Sequence, residues 1–80
     1  MTPQEIVDRL KRHGVEPNNV FNVNGNSLEN DKYHLVNSGG LWQVYYSERG
    51  HKWDFHEFNS ESDACDFLWR LLEKDETIWR

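Results

Sequence analysis

The spacing of hydrophobic residues changes along the chain, and the change predicts where helices give way to strands. Near the start, Ile6, Val7 and Leu10 recur at helical spacing. Between residues 41 and 58, apolar and polar positions alternate with period two, as in half-buried strands. Helical spacing then returns in a longer apolar stripe of Ala64, Phe67, Leu68, Leu71 and Leu72. The pattern predicts one helix at each end and strands between them.

Local signals indicate where both helices begin. Thr2 can cap the first helix, Pro3 suits its first position, and Glu5 completes a capping box. Gly14 is expected to end that helix. Ser60 is the predicted cap of the second helix.

Residues 41–58 form the predicted central hairpin, and Gly50 suits a left-handed position in its connecting loop. Strict alternation divides the side chains between two faces. The face expected in the core carries Trp42, Val44, Tyr46, Trp53 and Phe55. The face expected in solvent carries Gln43, Tyr45, Lys52, Asp54 and His56. Phe58 interrupts the alternation and is expected to end the strand.

A further strand is predicted over residues 32–37, followed by a turn at residues 38–40, and residues 20–23 are a candidate edge strand. The expected fold class is α+β, with one domain over residues 1–80. Its two layers are an N-terminal helix and a C-terminal helix on one face of a three- to four-stranded antiparallel meander, an αβββα-like order. The other sheet face is expected to be open.

Composition narrows the possible partners. The chain has 9 basic and 14 acidic residues, a formal net charge of −5, which disfavours direct binding to nucleic acid or to an anionic membrane. Cys65 is the single cysteine, so no disulfide framework is expected. The first residues are amphipathic, and no apolar run reaches transmembrane length. The sequence predicts a cytoplasmic protein.

The sequence contains histidines and one cysteine, but their spacing does not match a known metal-binding or catalytic motif. His13, His34, His51 and His56 lack the spacing of a metal site, so neither a metal nor another cofactor is expected. Cys65 lies among acidic residues, which oppose a thiolate, and is expected to be structural. No catalytic residues are predicted, and the chain is not expected to be an enzyme.

Aromatic residues are unusually frequent, with four Trp, three Tyr and four Phe in 80 residues. A domain of this size cannot bury all of them, and exposed aromatic residues often anchor protein interfaces. A stacking platform for single-stranded nucleic acid, built from Tyr45, Arg49, Lys52 and His56, is disfavoured by the acidic charge. Aromatic surplus and acidity together favour a protein partner.

The segment Trp42–Gly50, followed by Phe58 and the run Ser60–Cys65, resembles the immunity protein 59 family of bacterial polymorphic toxin systems. The resemblance covers roughly residues 33–72. It implies a cytoplasmic inhibitor, without enzymatic activity, that binds the toxic C-terminal domain of a secreted effector. Targets in such contact-dependent systems are often nucleases or NAD-consuming enzymes.

Combined with the open sheet face, this resemblance leads to a hypothesis about the binding surface. The candidate partner-binding residues are Tyr45, Asp54 and His56 on the sheet, Glu29 and Asp31 in the preceding loop, and Trp79. An alternative stays open, in which the chain is another small acidic inhibitor or regulatory module that mimics nucleic acid through Glu61, Asp63, Asp66 and Glu73.

Overall fold

Both helices begin at the caps that the sequence predicts. In the computed structural model, which describes residues 1–79, α1 spans Pro3–Arg12 and α2 spans Glu61–Lys74. The Thr2 hydroxyl accepts a hydrogen bond from the Glu5 amide at 3.2 Å, and the Glu5 carboxylate accepts one from the Thr2 amide at 3.0 Å. The Ser60 hydroxyl accepts from the Asp63 amide at 3.1 Å. These bonds satisfy amides that a helix leaves free in its first turn.

Four strands form one mixed sheet in the order β1-β2-β3-β4. Their bounds are Phe21–Val23 for β1, Lys32–Ser38 for β2, Leu41–Glu48 for β3 and His51–Phe58 for β4. The pairs β2–β3 and β3–β4 are antiparallel, as predicted, but β1 pairs with β2 in parallel. The expectation of a wholly antiparallel meander is therefore wrong at this edge. A short 3₁₀ helix, Pro17–Asn19, precedes β1.

Two tight turns join the antiparallel strands. The β2–β3 turn has Gly39 and Gly40 at φ 59° and 87°, and the β3–β4 turn has Arg49 and Gly50 at φ 51° and 79°. Two successive positive φ values are typical of hairpin turns whose twist matches that of the strands. The predicted role of Gly50 is confirmed.

A β-bulge in β4 changes the faces on which its side chains lie. Trp53 is paired with Tyr46, but His56 rather than Phe55 is paired with Val44, so β4 has one additional residue here. Asp54 adopts φ 55° at this point. Since one inserted residue reverses the alternation beyond it, Phe55 lies on the face opposite to Trp53. The prediction that these two aromatic residues share the core face is wrong.

The same bulge explains why Phe58 interrupts the alternation of apolar and polar residues in the sequence. Beyond Asp54 the parity is reversed, so His56 and Phe58 lie on the face of Val44 and Trp42, with which they pair. Phe58 packs at the margin of the core, with its ring centroid 5.3 Å from that of Phe67 on α2. The apparent break in the sequence pattern reflects the inserted residue.

The main core lies between the two helices and the sheet face that contains Leu35 and Val44, called here the helix-side face. Its fully buried members are Ile6, Leu10, Leu35, Val44, Ala64, Cys65, Leu68 and Leu72. Ile6 and Leu10 of α1 and four residues of α2 thus meet two strands in a two-layer α+β arrangement. Neither helix of the described chain is long and apolar enough to cross a membrane.

Candidate protein-binding surface

The loop between β1 and β2, residues 24–31, crosses the face of the sheet opposite the helices, called here the outer face. The backbone carbonyl of Glu29 lies 3.0 Å from His34 Nε2. Asn30 Oδ1 accepts hydrogen bonds from the Ser47 hydroxyl at 3.3 Å and from the Gly50 amide at 3.2 Å. The Asp31 amide donates to the Ser47 carbonyl at 2.6 Å. The outer face is therefore partly covered, although the sequence predicts an open one.

A row of stacked side chains crosses the outer face beneath this loop. The ring of Tyr45 stacks on His34 from β2, with centroids 4.8 Å apart, and on Phe55 from β4 at 6.0 Å. The Lys52 ammonium lies 4.7 Å from the Tyr45 ring centroid and 5.7 Å from that of Phe55. Such cation–π contacts hold the ammonium group beside the row.

Tyr45 is 2% exposed, so the prediction that it lies on a wet face is wrong. It is on the outer face, as predicted, but His34, Phe55 and the loop cover it. Burial raises the pKa of its phenol. Because its ring is already stacked within the protein, Tyr45 does not form the platform considered above for nucleotide bases.

A cleft of about 380 Å³ lies between the loop and the β3–β4 hairpin. We call it the loop–hairpin cleft, and it is lined by Ser27, Leu28, Asn30, Tyr45, Ser47, Gly50 and Lys52. Leu28, at its rim, is 82% exposed. None of the lining residues is acidic, although the chain as a whole has a net charge of −5. The cleft therefore differs in charge from the rest of the protein surface.

Strand β4 is the most exposed element of the sheet. Residues 51–57 are all exposed, including Trp53 at 56% and Phe55 at 42%. The strand has β3 on one side, and no described strand pairs with its other side. Trp53 and Phe55 lie on opposite faces of this edge, so β4 presents aromatic surface in two directions.

The bulge of β4 has different consequences for the two other predicted sheet anchors, Asp54 and His56. Asp54 occupies the bulge of β4 and is exposed. His56 was expected on the open face beside Tyr45, but it lies on the helix-side face, with its ring centroid 4.4 Å from that of Phe67. This difference follows from the bulge, which reverses the parity between residues 54 and 56.

The two predicted loop residues have different surroundings. Glu29 accepts from the Lys32 ammonium at 2.7 Å and from the Asn22 side-chain amide at 3.3 Å. The hydrogen bond from Lys32, followed by that from Asn22, lowers the pKa of the Glu29 carboxyl. Asp31 is exposed, with φ 60°, at the junction of the loop and β2.

Trp79 packs at the C-terminal end of α2, away from the sheet anchors. Its indole nitrogen donates to the Leu72 carbonyl at 2.8 Å. Its ring meets Trp69 and His13 edge to face, with centroids 6.0 Å and 5.3 Å apart. These contacts give Trp79 a structural role, and its role in partner binding stays a prediction.

A second cavity, of about 270 Å³, lies on the helix side beside Asp31, Tyr33, Tyr46 and Asp75. The Tyr33 hydroxyl donates to the Asp75 carboxylate at 2.9 Å. Burial and then this carboxylate raise the pKa of Tyr33. Since Asp75 also accepts from the Thr77 amide and hydroxyl, its carboxylate is already used in holding the end of α2.

Neither a metal-binding cluster nor a reactive cysteine is found among residues 1–79. Residues 1–79 contain no group of three or more His, Cys, Asp or Glu positioned to hold a metal ion. Cys65 is fully buried, and burial followed by the charge of Glu61 raises the pKa of its thiol to about 11. A thiol in this state is a poor nucleophile.

The structure thus brings together Tyr45 and the loop of Glu29, but it separates His56 and Trp79 from them. Leu28 and the edge exposure of Trp53 and Phe55 were not predicted from the sequence, and Lys52 was considered only as part of a nucleic-acid platform. Leu28 carried a usable signal, because it is a large apolar residue within a polar, turn-rich segment. Comparison with known proteins gives no further guide, since no family model, curated protein or solved structure matches this chain.

Proposed function

We propose that this chain is a cytoplasmic immunity protein that binds a cognate bacterial toxin domain and neutralises it by stoichiometric protein–protein binding. The observation that carries the proposal is the exposed edge strand β4, which presents Trp53 and Phe55 to solvent. The resemblance of residues 42–65 to the immunity protein 59 family supplies the class of partner.

The composition of β4 supports recognition by side chains. Large exposed aromatic residues are common among those that contribute most to interface affinity, because they bury much apolar surface with few rotatable bonds. Charged and polar neighbours, including Lys52, Asp54 and Glu57, supply the polar rim that such anchors have in interfaces.

The bulge at Asp54 bears on the mode of binding. An unpaired edge can accept a strand from another protein, but a bulge twists the edge and interrupts its ladder of hydrogen bonds. With Asp54 at φ 55° in the middle of β4, a long added strand would meet this interruption. The proposal is therefore that the partner binds the side chains of β4 rather than extending the sheet.

The charge of the chain supports a basic partner. A net charge of −5 on 80 residues gives a field that would increase the rate of encounter with a positively charged toxin domain. Nucleases, one of the target classes that the resemblance implies, bind polyanions and are often basic. On this proposal the encounter rate falls as salt concentration rises.

The test is capture of the partner followed by a growth assay. The tagged chain is purified from its native host, and stoichiometric partners are identified by mass spectrometry. The proposal expects the C-terminal domain of a secreted protein, and that domain expressed alone should arrest growth unless this chain is co-expressed. Capture of nucleic acid, or a partner whose toxicity is unaffected by co-expression, would overturn the proposal.

A further inference from the structure

The loop–hairpin cleft combines hydrogen-bond donors that have no partner within residues 1–79. Tyr45 is 2% exposed, lines the cleft, and its hydroxyl is in none of the hydrogen bonds among the described residues. Lys52 lines the same cleft and is in none of their ion pairs. The buried side-chain atoms left without a partner among residues 1–79 are Asn22 Oδ1 and His34 Nδ1, so the Tyr45 hydroxyl reaches the solvent of the cleft and is available to donate to a ligand there.

Asn30 adds a third donor. Its side-chain oxygen accepts from both Ser47 and Gly50. The bond from the Gly50 amide fixes the orientation of the Asn30 amide, since a backbone N–H only donates and a side-chain amide nitrogen cannot accept. The Asn30 nitrogen is consequently left as a donor, and it is in none of the hydrogen bonds described for residues 1–79.

The position of the positive charge is restrained by packing. Lys52 lies over the rings of Tyr45 and Phe55, and Tyr45 is itself stacked on His34. A lysine held in this way loses less conformational freedom on binding than a free surface lysine. The cleft therefore offers one ammonium group, a phenol and an amide, with no acidic lining residue to oppose an anion.

We propose that the loop–hairpin cleft binds a carboxylate group carried by the toxin domain, either an Asp or Glu side chain or a chain terminus. The identity of the partner in this statement rests on the proposed function. A carboxylate matches the single positive charge and accepts several charge-assisted hydrogen bonds. Leu28, which lines the cleft, and Phe55, which contacts Lys52, are exposed apolar residues and suit an anion attached to a polypeptide rather than a free inorganic anion.

A carboxylate site on an acidic protein would contribute orientation and specificity. The overall negative charge attracts a basic partner, but it does not fix how the two proteins dock. One local site of opposite sign favours a single orientation, because in other orientations the partner's carboxylate meets acidic surface. The cleft lies beside β4, so one docked protein could contact both.

The experiment measures binding of small probes to the isolated 80-residue chain by two-dimensional NMR at low salt. N-acetylglutamate N-methylamide is compared with its glutamine analogue, which has nearly the same shape without the charge. Inorganic phosphate is the third probe. The proposal expects saturable shift changes at the amides of residues 45–52 with the glutamate probe, and none with the glutamine analogue.

Two substitutions and one matched control identify the groups responsible. Lys52→Gln should weaken binding of the glutamate probe by about tenfold or more, as expected for loss of a charge-assisted bond. Tyr45→Phe keeps the stacked ring and should weaken binding severalfold. Lys11→Gln makes the same charge change on α1 and should have no effect.

Several results would overturn the inference. These are equal binding of the glutamate and glutamine probes, equal effects of Lys52→Gln and Lys11→Gln, and absence of saturable binding. Phosphate binding tighter than that of the glutamate probe would also overturn it, since the site would then be one for free anions. The experiment contains no partner protein, so it tests only whether the cleft binds a carboxylate. A negative result would overturn the carboxylate site without overturning the proposed immunity function, which the capture and growth assays test separately.

Discussion

The phenol ring of Tyr45 lies against the imidazole of His34, with ring centroids 4.8 Å apart and ring planes inclined by 14°. The two residues are paired directly across β2 and β3, and both are buried although they lie on the face opposite the helices. The loop of residues 24–31 makes this burial possible. Tyr45 is thus part of a small core on the outer face, and this position has consequences for stability.

Replacing Tyr45 should destabilise the fold as a core substitution does. Tyr45→Ala removes a ring that stacks on His34 and Phe55, and its expected cost is about 3–5 kcal/mol. Trp53→Ala is the matched comparison, since Trp53 is 56% exposed and its loss should change the free energy of unfolding by only about 0.5 kcal/mol. Urea unfolding measures both values. Equal costs would show that Tyr45 is not buried as described.

The bulge residue Asp54 is expected to tolerate glycine and to reject a β-branched residue. At φ 55°, Asp54→Gly should leave stability unchanged or raise it slightly. Asp54→Val should lower it by about 1–2 kcal/mol, because a left-handed backbone brings the branched side chain too close to the following carbonyl. Glu57→Val, on a regular position of the same strand, is the control and should not be destabilising. A stable Asp54→Val variant would argue against the bulge.

The Glu29 carboxylate should make stability depend on pH. Hydrogen bonds from Lys32 and Asn22 lower the pKa of Glu29 below its ordinary value of 4.5 in the folded chain. The contribution of the ionised Glu29 carboxylate to the free energy of unfolding is therefore fully present above pH 4.5, and it is lost as pH falls through the folded-state pKa. The difference in unfolding free energy between wild type and Glu29→Gln should accordingly shrink below pH 4.5. A difference that persists unchanged at pH 3 would contradict this assignment.

The Cys65 thiol should react slowly in the folded protein. Its pKa is raised from 9.0 to about 11, so at pH 8 the thiolate fraction is about 100-fold smaller than in the unfolded chain. Alkylation by iodoacetamide, followed by mass spectrometry, should be at least that much slower in buffer than in concentrated urea. Rates within a factor of about ten would indicate that Cys65 is accessible.

Much of the fold could be predicted from the sequence because its signals are local. The Thr2–Glu5 capping box, the Ser60 cap and the glycines of the two turns each act within a few residues, and each is found where it was expected. The apolar stripe of α2 was also clear, and the structure adds Cys65 to its fully buried residues.

The errors come from features that depend on distant parts of the chain. Asp54 has no local signature of a bulge, yet the one inserted residue moved Phe55 and His56 to faces opposite to those predicted. The parallel pairing of β1 depends on the path of residues 24–31 across the outer face. That same path buries Tyr45, which alternation alone assigned to solvent.

The central claim is that the exposed aromatic edge of β4 binds the partner protein, and its most direct test is an affinity measurement. The double substitution Trp53→Ser and Phe55→Ser is compared with Val23→Ser, which alters a 38% exposed residue on the opposite edge strand. NMR spectra first establish that both variants are folded. Isothermal titration with the captured toxin domain should show affinity weakened by about 30-fold or more for the double variant and unchanged for Val23→Ser. Equal affinities for the double variant and wild type would contradict the claim and place the interface elsewhere.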